Sequence, residues 1–164
     1  MGELGRLGEI AGRLLKTRGE TIAVAESSAG GLISASLLAV PGASAYFISG
    51  SVIYTHKARE TFTDIKLEQH PGMRSSSEPY AALLAETMRR RLDTTWGLAE
   101  TGAAGPRGNR YGDAAGHTCI ALCGPVTRVF TVETGDSDRE ANMWRFTEAA
   151  LEALAAALDQ PMTT

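Results

Sequence analysis

The spacing of apolar residues changes several times along the chain, and each change marks an expected element. Leu4, Leu7, Ala11, Leu14 and Leu15 recur at helical spacing, and Gly19 stands where a C-terminal cap belongs, which predicts an amphipathic opening helix. Residues 21–25 then form a brief β-branched and apolar run suited to a strand covered on both faces. Beyond Gly30-Gly31, the Leu- and Ala-rich stretch 32–40 predicts a helix that Pro41-Gly42 stops. Aromatic and β-branched residues over 45–55 predict a second strand, with a bulge expected at Gly50.

Residues 57–77 read as loop and short helix. Tyr80, Leu83, Leu84, Thr87 and Met88 restore the helical period, and Glu78-Pro79 falls in the first turn, where proline is tolerated. Residues 95–101 predict a third strand running into the glycine-rich loop TGAAGPRGNRYGD. Strands over 117–123 and 127–133 are separated by Gly124-Pro125, a turn short enough to join antiparallel neighbours. A capping box of Ser137 with Glu140 is expected to open a last helix that buries Trp144, Leu151, Leu154 and Leu158. The expected fold class is α/β: a three-layer α/β/α sandwich around a mixed parallel/antiparallel sheet. No internal repeat or linker interrupts the pattern, so residues 1–164 are expected to form one domain.

Composition narrows the function classes. With 43% hydrophobic and 21% charged residues and eighteen glycines, the chain has the make-up of a folded globular protein with many tight turns. The formal charge is −3, and its one basic run, Arg89-Arg90-Arg91, lies where cations complement a helix C-terminus, so no nucleic-acid partner is expected. No apolar run is long enough for a membrane span and no leader pattern is visible. With only Cys119 and Cys123, no disulfide framework is expected, and the reading is cytoplasmic.

Ligands of such sheets bind beyond the carboxyl ends of the strands, and two segments meet that rule: the Ser27-Ser28-Ala29-Gly30-Gly31 turn and the loop after Thr101. Backbone N–H groups at the turn would favour a phosphate or an oxyanion, and a serine there is placed to act as nucleophile or simply to cap the following helix. Dinucleotide, P-loop and serine-elbow spacings are all absent. His117, Cys119 and Cys123 share strand parity but lie too far apart along one strand to close a tetrahedral metal site, so no metal is expected.

Four segments, AESSAGGLI, VPGASAYFISGSVIYTHKAR, AETGAAGPRG and ETGDSDRE, resemble in order and spacing the C-terminal domain of the CinA family, the PncC-like nicotinamide-nucleotide amidases. The resemblance covers nearly the whole chain. It implies cofactor-free and metal-free hydrolysis of the carboxamide of nicotinamide mononucleotide, with a small-molecule nucleotide as partner and a homo-oligomer as the assembled state. It maps the nucleophile to Ser27, a tyrosine to Tyr54, and substrate contacts to Ser28, Gly30, Gly31, Thr101, Gly102, Gly105 and Arg139.

The family's activating lysine maps to Arg59, whose guanidinium stays protonated and offers no acceptor. Lys57, two positions earlier, would share its face on an extended backbone and swing away on a helix. Other departures are Ser28-Ala29 for Cys-Thr, Thr55-His56-Lys57 for Ser-Asn-Glu, Arg107-Gly108-Asn109-Arg110 for a run of glycines, and Asp113-Ala114-Ala115-Gly116 for Lys-Pro-Val-Gly. Three functions follow: an amidase using Ser27, with Tyr54 and Lys57 or Arg59 managing protons and charge and N–H groups near Gly30 and Gly31 holding the oxyanion; a nucleotide-binding paralogue that has lost its base; and a hydrolase of another amide or ester.

Overall fold

The computed structural model describes residues 2–161. In chain order it holds α1 (Gly2–Arg18), β1 (Ile22–Glu26), α2 (Leu32–Leu38), β2 (Phe47–Val52), α3 (His56–Thr63), α4 (Glu78–Arg91), β3 (Trp96–Ala103), β4 (His117–Cys123), β5 (Arg128–Glu133) and α5 (Arg139–Leu158). The five strands form one sheet in the order β2-β1-β3-β4-β5. β1 runs parallel to both β2 and β3, whereas β3–β4 and β4–β5 are antiparallel. This is the expected mixed sheet between helical layers.

Strand parity builds the layers. Ile22, Val24, Leu98, Ile120 and Leu122 join a core with Leu4, Leu15, Ile33, Leu151 and Leu154, so α1, α2 and α5 cover one face. Ala23, Ala25, Ala99 and Ala121 meet Tyr80, Leu84 and Met88 of α4 on the other. The small residues on that second face let α4 ride close to the sheet. Because β1 feeds a helix on one face while β3 is entered from a helix on the opposite face, a crevice opens beyond the C-terminal ends of these two neighbouring strands.

Three details differ from the expected pattern. The bulge of β2 falls at Ile48 rather than Gly50, since Ile22 pairs with Phe47 and Ala23 with Ser49. Gly50 serves close approach instead: a Cβ there would lie 2.2 Å from Ser34 Oγ of α2. β2 is also shorter than its apolar run, because a 3-10 turn occupies Ala43–Ala45 and Thr55 becomes the N-cap of α3, its hydroxyl accepting from Ala58 N–H at 3.1 Å. At α5 the cap is Asp138, which accepts from Ala141 N–H at 3.0 Å, rather than Ser137. The buried stripe of that helix runs through Phe146, Ala150, Leu154 and Leu158, which leaves Trp144 only half-buried.

Candidate active site

Glu26 ends β1 on the face that carries Val24, pointing at α2. Its carboxylate accepts from the N–H groups of Gly31 (2.7 Å), Ile33 (3.2 Å) and Ser34 (2.9 Å) and from Ser34 Oγ (2.7 Å). The free donors at the start of α2 are therefore satisfied by an acidic side chain from the preceding strand, and neither Ser27 nor Ser28 caps the helix. Burial pushes the Glu26 carboxyl above its ordinary range, and the Ser34, Ile33 and Gly31 donors draw it only part of the way back.

Glu100 is the second fully buried carboxylate of this crevice. It lies on β3 on the same face, and its donors come from a different place. Oε2 accepts from Ser27 N–H at 3.0 Å and Ala29 N–H at 2.9 Å, while Oε1 accepts from Thr118 Oγ1 at 2.6 Å and from Ser28 Oγ in a short contact. The turn that carries both serines is thus clamped to β3 and β4 by one side chain.

The crevice has two lobes that share Tyr54, Gly102 and Asn109. The first, about 330 Å³, is lined by Ser27, His56, Arg59, Tyr80, Thr101 and Arg110 among others. The second, about 200 Å³, is lined by Ser28, Gly105, Arg107, Gly108 and Arg139. Arg139 bridges the lobes, donating to Gly105 O at 2.6 Å and to the Tyr54 hydroxyl at 3.1 Å.

Of the residues singled out in the sequence, Ser27, Ser28, Tyr54, Arg59, Thr101, Gly102, Gly105 and Arg139 line the crevice. Lys57, Gly30 and Gly31 do not. Lys57 is exposed because α3 already begins at His56, so the helix turns it about 200° from the buried Arg59. The Gly30 N–H donates to Ser27 O at 3.1 Å and the Gly31 N–H to Glu26, which removes both from any oxyanion role. Among the described residues no protein group hydrogen-bonds Ser27 Oγ. Arg59 itself donates from Nε to Ile65 O at 3.2 Å and borders Tyr80, whose phenol is pushed up by burial against the pull of that guanidinium.

Several wall residues carried no motif and became visible only in three dimensions. Arg74 forms a two-pronged ion pair with Asp113, 2.6 and 3.0 Å, and Asn109 Nδ2 donates to the same carboxylate at 2.8 Å. The guanidinium groups of Arg74 and Arg110 both lie over the Tyr111 ring, 5.3 and 5.1 Å from its centre. Behind this wall His117 places Nδ1 2.5 Å from Glu133 Oε1 and Nε2 2.9 Å from the carbonyl of Ser76, which lines the first lobe. Arg107 and Arg110, in the segment 107–110 that departs from the expected run of glycines, thus give the crevice an arginine-bearing wall.

Known proteins match this arrangement of elements closely. Residues 5–158 match the profile of the CinA C-terminal domain. The chain is 38% identical over 158 residues to a CinA-like protein of Chlorobium phaeobacteroides, covering 93% of this chain and 37% of that protein. It is 40% identical over 128 residues to a CinA-like protein of Myxococcus xanthus, covering 76% and 30%. The chain spans only about a third of the length of these curated relatives. Among solved structures, a competence or damage-inducible protein from Enterobacter asburiae superposes with a TM-score of 0.89 at 25% identity, covering 97% of this chain and all of that one. The competence/damage inducible protein CihA from Agrobacterium tumefaciens gives 0.88 at 26%, covering 98% of each.

Proposed function

Because this chain belongs to the CinA family, as its C-terminal domain, we propose that it is an amidohydrolase that cleaves the carboxamide of a nicotinamide mononucleotide-type substrate to the carboxylic acid and ammonia. The observation that carries the reading is the serine turn, locked by buried Glu100 at the mouth of a two-lobed, arginine-lined crevice. The first lobe, about 330 Å³, is on the scale of small-ligand sites, roughly 300–1,000 Å³, and the adjoining lobe of about 200 Å³ extends it, so the two suit the two ends of a mononucleotide. Hydrolysis needs a hydroxyl nucleophile, an acceptor for its proton, donors for the oxyanion and positive charge for the phosphate. Arg59 supplies charge rather than a base, since a guanidinium has no acceptor.

Ammonia release from nicotinamide mononucleotide by the purified chain, compared with the Ser27→Ala/Ser28→Ala double variant, tests the reading. Turnover by the wild type that the double variant lacks is expected; equal rates for both would remove it. A second reading, nucleotide binding without turnover, is favoured by the Ser27 hydroxyl, which meets no protein partner among the described residues, and by Arg59 in the usual lysine position. Calorimetry separates the two: saturable binding of intact nucleotide with no ammonia formed selects the second.

A further inference from the structure

We infer that the nucleophile of this chain is Ser28, with the Glu100 carboxylate as the acceptor of its proton. The inference rests on the amidohydrolase reading above. A serine hydroxyl is a weak nucleophile unless a general base lies within hydrogen-bond reach, roughly 2.6–3.2 Å or looser in a ligand-free site. Among the described residues Ser27 Oγ has no such partner, Arg59 offers no lone pair, and Lys57 faces solvent on the wrong side of α3. His56 Nε2 faces Arg110 at 3.0 Å instead of a serine.

Three other hydroxyls of the crevice are occupied as acceptors. Thr55 Oγ1 accepts from Ala58 N–H, Thr101 Oγ1 from Ser76 N–H at 3.2 Å, and the Tyr54 hydroxyl from Arg139. Ser28 alone among the lining hydroxyls donates to a carboxylate, Oε1 of Glu100. The remaining donors orient that carboxylate: the two N–H groups hold Oε2, and Thr118 Oγ1 shares Oε1, which leaves Oε1 turned toward Ser28. Glu100 is fully buried, where electrostatic interactions are strongest, and Ser28 still borders the second lobe. Gly105, Arg107 and Gly108 line that lobe, and their N–H groups donate to no protein acceptor among the described residues.

The step balances without a further reactant. Ser28 Oγ bonds to the carboxamide carbon as its proton passes to Glu100 Oε1. The C–N bond breaks, and the nitrogen takes that proton and leaves as ammonia. Water then attacks the ester, gives its proton to Glu100, and the proton returns to Ser28 Oγ as the ester C–O bond breaks. With the carboxamide in the Ser28 lobe, the phosphate falls in the other lobe beside Arg59 and Arg110.

Two measurements on the full chain test this. After reaction with a fluorophosphonate, fragmentation of the adduct peptide by mass spectrometry separates labelled Ser28 from labelled Ser27. Kinetics of Ser27→Ala, Ser28→Ala, Glu100→Gln and Glu100→Asp are compared beside their melting temperatures. The expected result is an adduct on Ser28, a loss in kcat of about 10³-fold or more for Ser28→Ala, less than about fivefold for Ser27→Ala, and a kcat loss for Glu100→Gln, at little changed KM, that Glu100→Asp partly restores. Ser28→Ala keeps the other three donors on Glu100, so it stays informative even if the Glu100 variants unfold. An adduct on Ser27, or a Ser28→Ala enzyme that melts earlier yet turns over normally, overturns the inference while leaving the amidohydrolase reading intact. A wild type without ammonia release ends both.

Discussion

Glu26 ends β1 and Glu100 lies within the neighbouring parallel strand β3, one register step beyond the Ala25–Ala99 pair, and both are buried without exposure. Both are satisfied by N–H and O–H donors, yet they hold different things. Every donor to Glu26 lies five to eight residues further along its own chain segment, so that carboxylate closes a local loop and starts α2. Glu100 draws its donors from residues 27–29 and from Thr118, joining three elements and fixing the hydroxyl of Ser28. A buried acid can therefore be a helix cap or a clamp between distant elements with the same chemistry, and only the origin of its donors separates the two.

Removing Glu100 is the strongest way to break that contrast. Glu100→Ala orphans two N–H groups and two hydroxyls in a buried site and is expected to lower stability by about 3–5 kcal/mol, read from the urea midpoint. A loss under about 1 kcal/mol would show that water replaces the clamp and that Glu100 orders nothing. Glu26→Ala is expected to cost less, about 2–3 kcal/mol, because solvent reaches the first turn of a short helix more readily. Hydrogen exchange should localise its effect: the Ile33 and Ser34 amides lose protection while those of β4 keep it.

A third buried titratable group, at the same end of the sheet, gives a pH-dependent comparison. Burial opposes charge on His117, but Glu133, the Ser76 carbonyl and nearby Asp113 outweigh it, so the imidazole titrates above its ordinary value of 6.5. Its pKa is raised in the folded state. The stabilisation is hence fully present below the unfolded pKa and is lost as pH rises through the raised folded value. As pH rises from 6 toward 9 the wild type is expected to lose stability through this group, and His117→Asn to lose that dependence in thermal melts at each pH. A variant with an unchanged pH profile would place the titration elsewhere.

The smallest effect is expected at Lys57. Lys57→Ala should leave stability within about 0.5 kcal/mol and ammonia release unchanged, as suits an exposed side chain on the outer face of α3. A large loss of turnover would return a lysine base to the mechanism and take the proton-acceptor role away from Glu100.

Much of this could be read along the chain. The helical stripe of α1 and the span of β4 follow directly from apolar periodicity, because packing against one sheet face demands that period. The serine-glycine turn announced itself through residue types that rarely collect in a core. Lys57 was undecidable, since its direction depends on whether residue 56 is extended or helical, and Thr55 capping α3 settled it. Glu100 left one faint mark, an acid inside an otherwise apolar strand, but its partners stand 71 to 73 residues back and 18 ahead. No local pattern encodes such distances.

Local chemistry was enough to set which segments became strands and helices, and to mark the turn at Ser27 and Ser28 as part of the candidate site. Which of those two hydroxyls meets a carboxylate was decided by the packing of β3 and β4 beneath the turn. Periodicity is a property of neighbours in the chain, whereas a proton acceptor must be a neighbour in space.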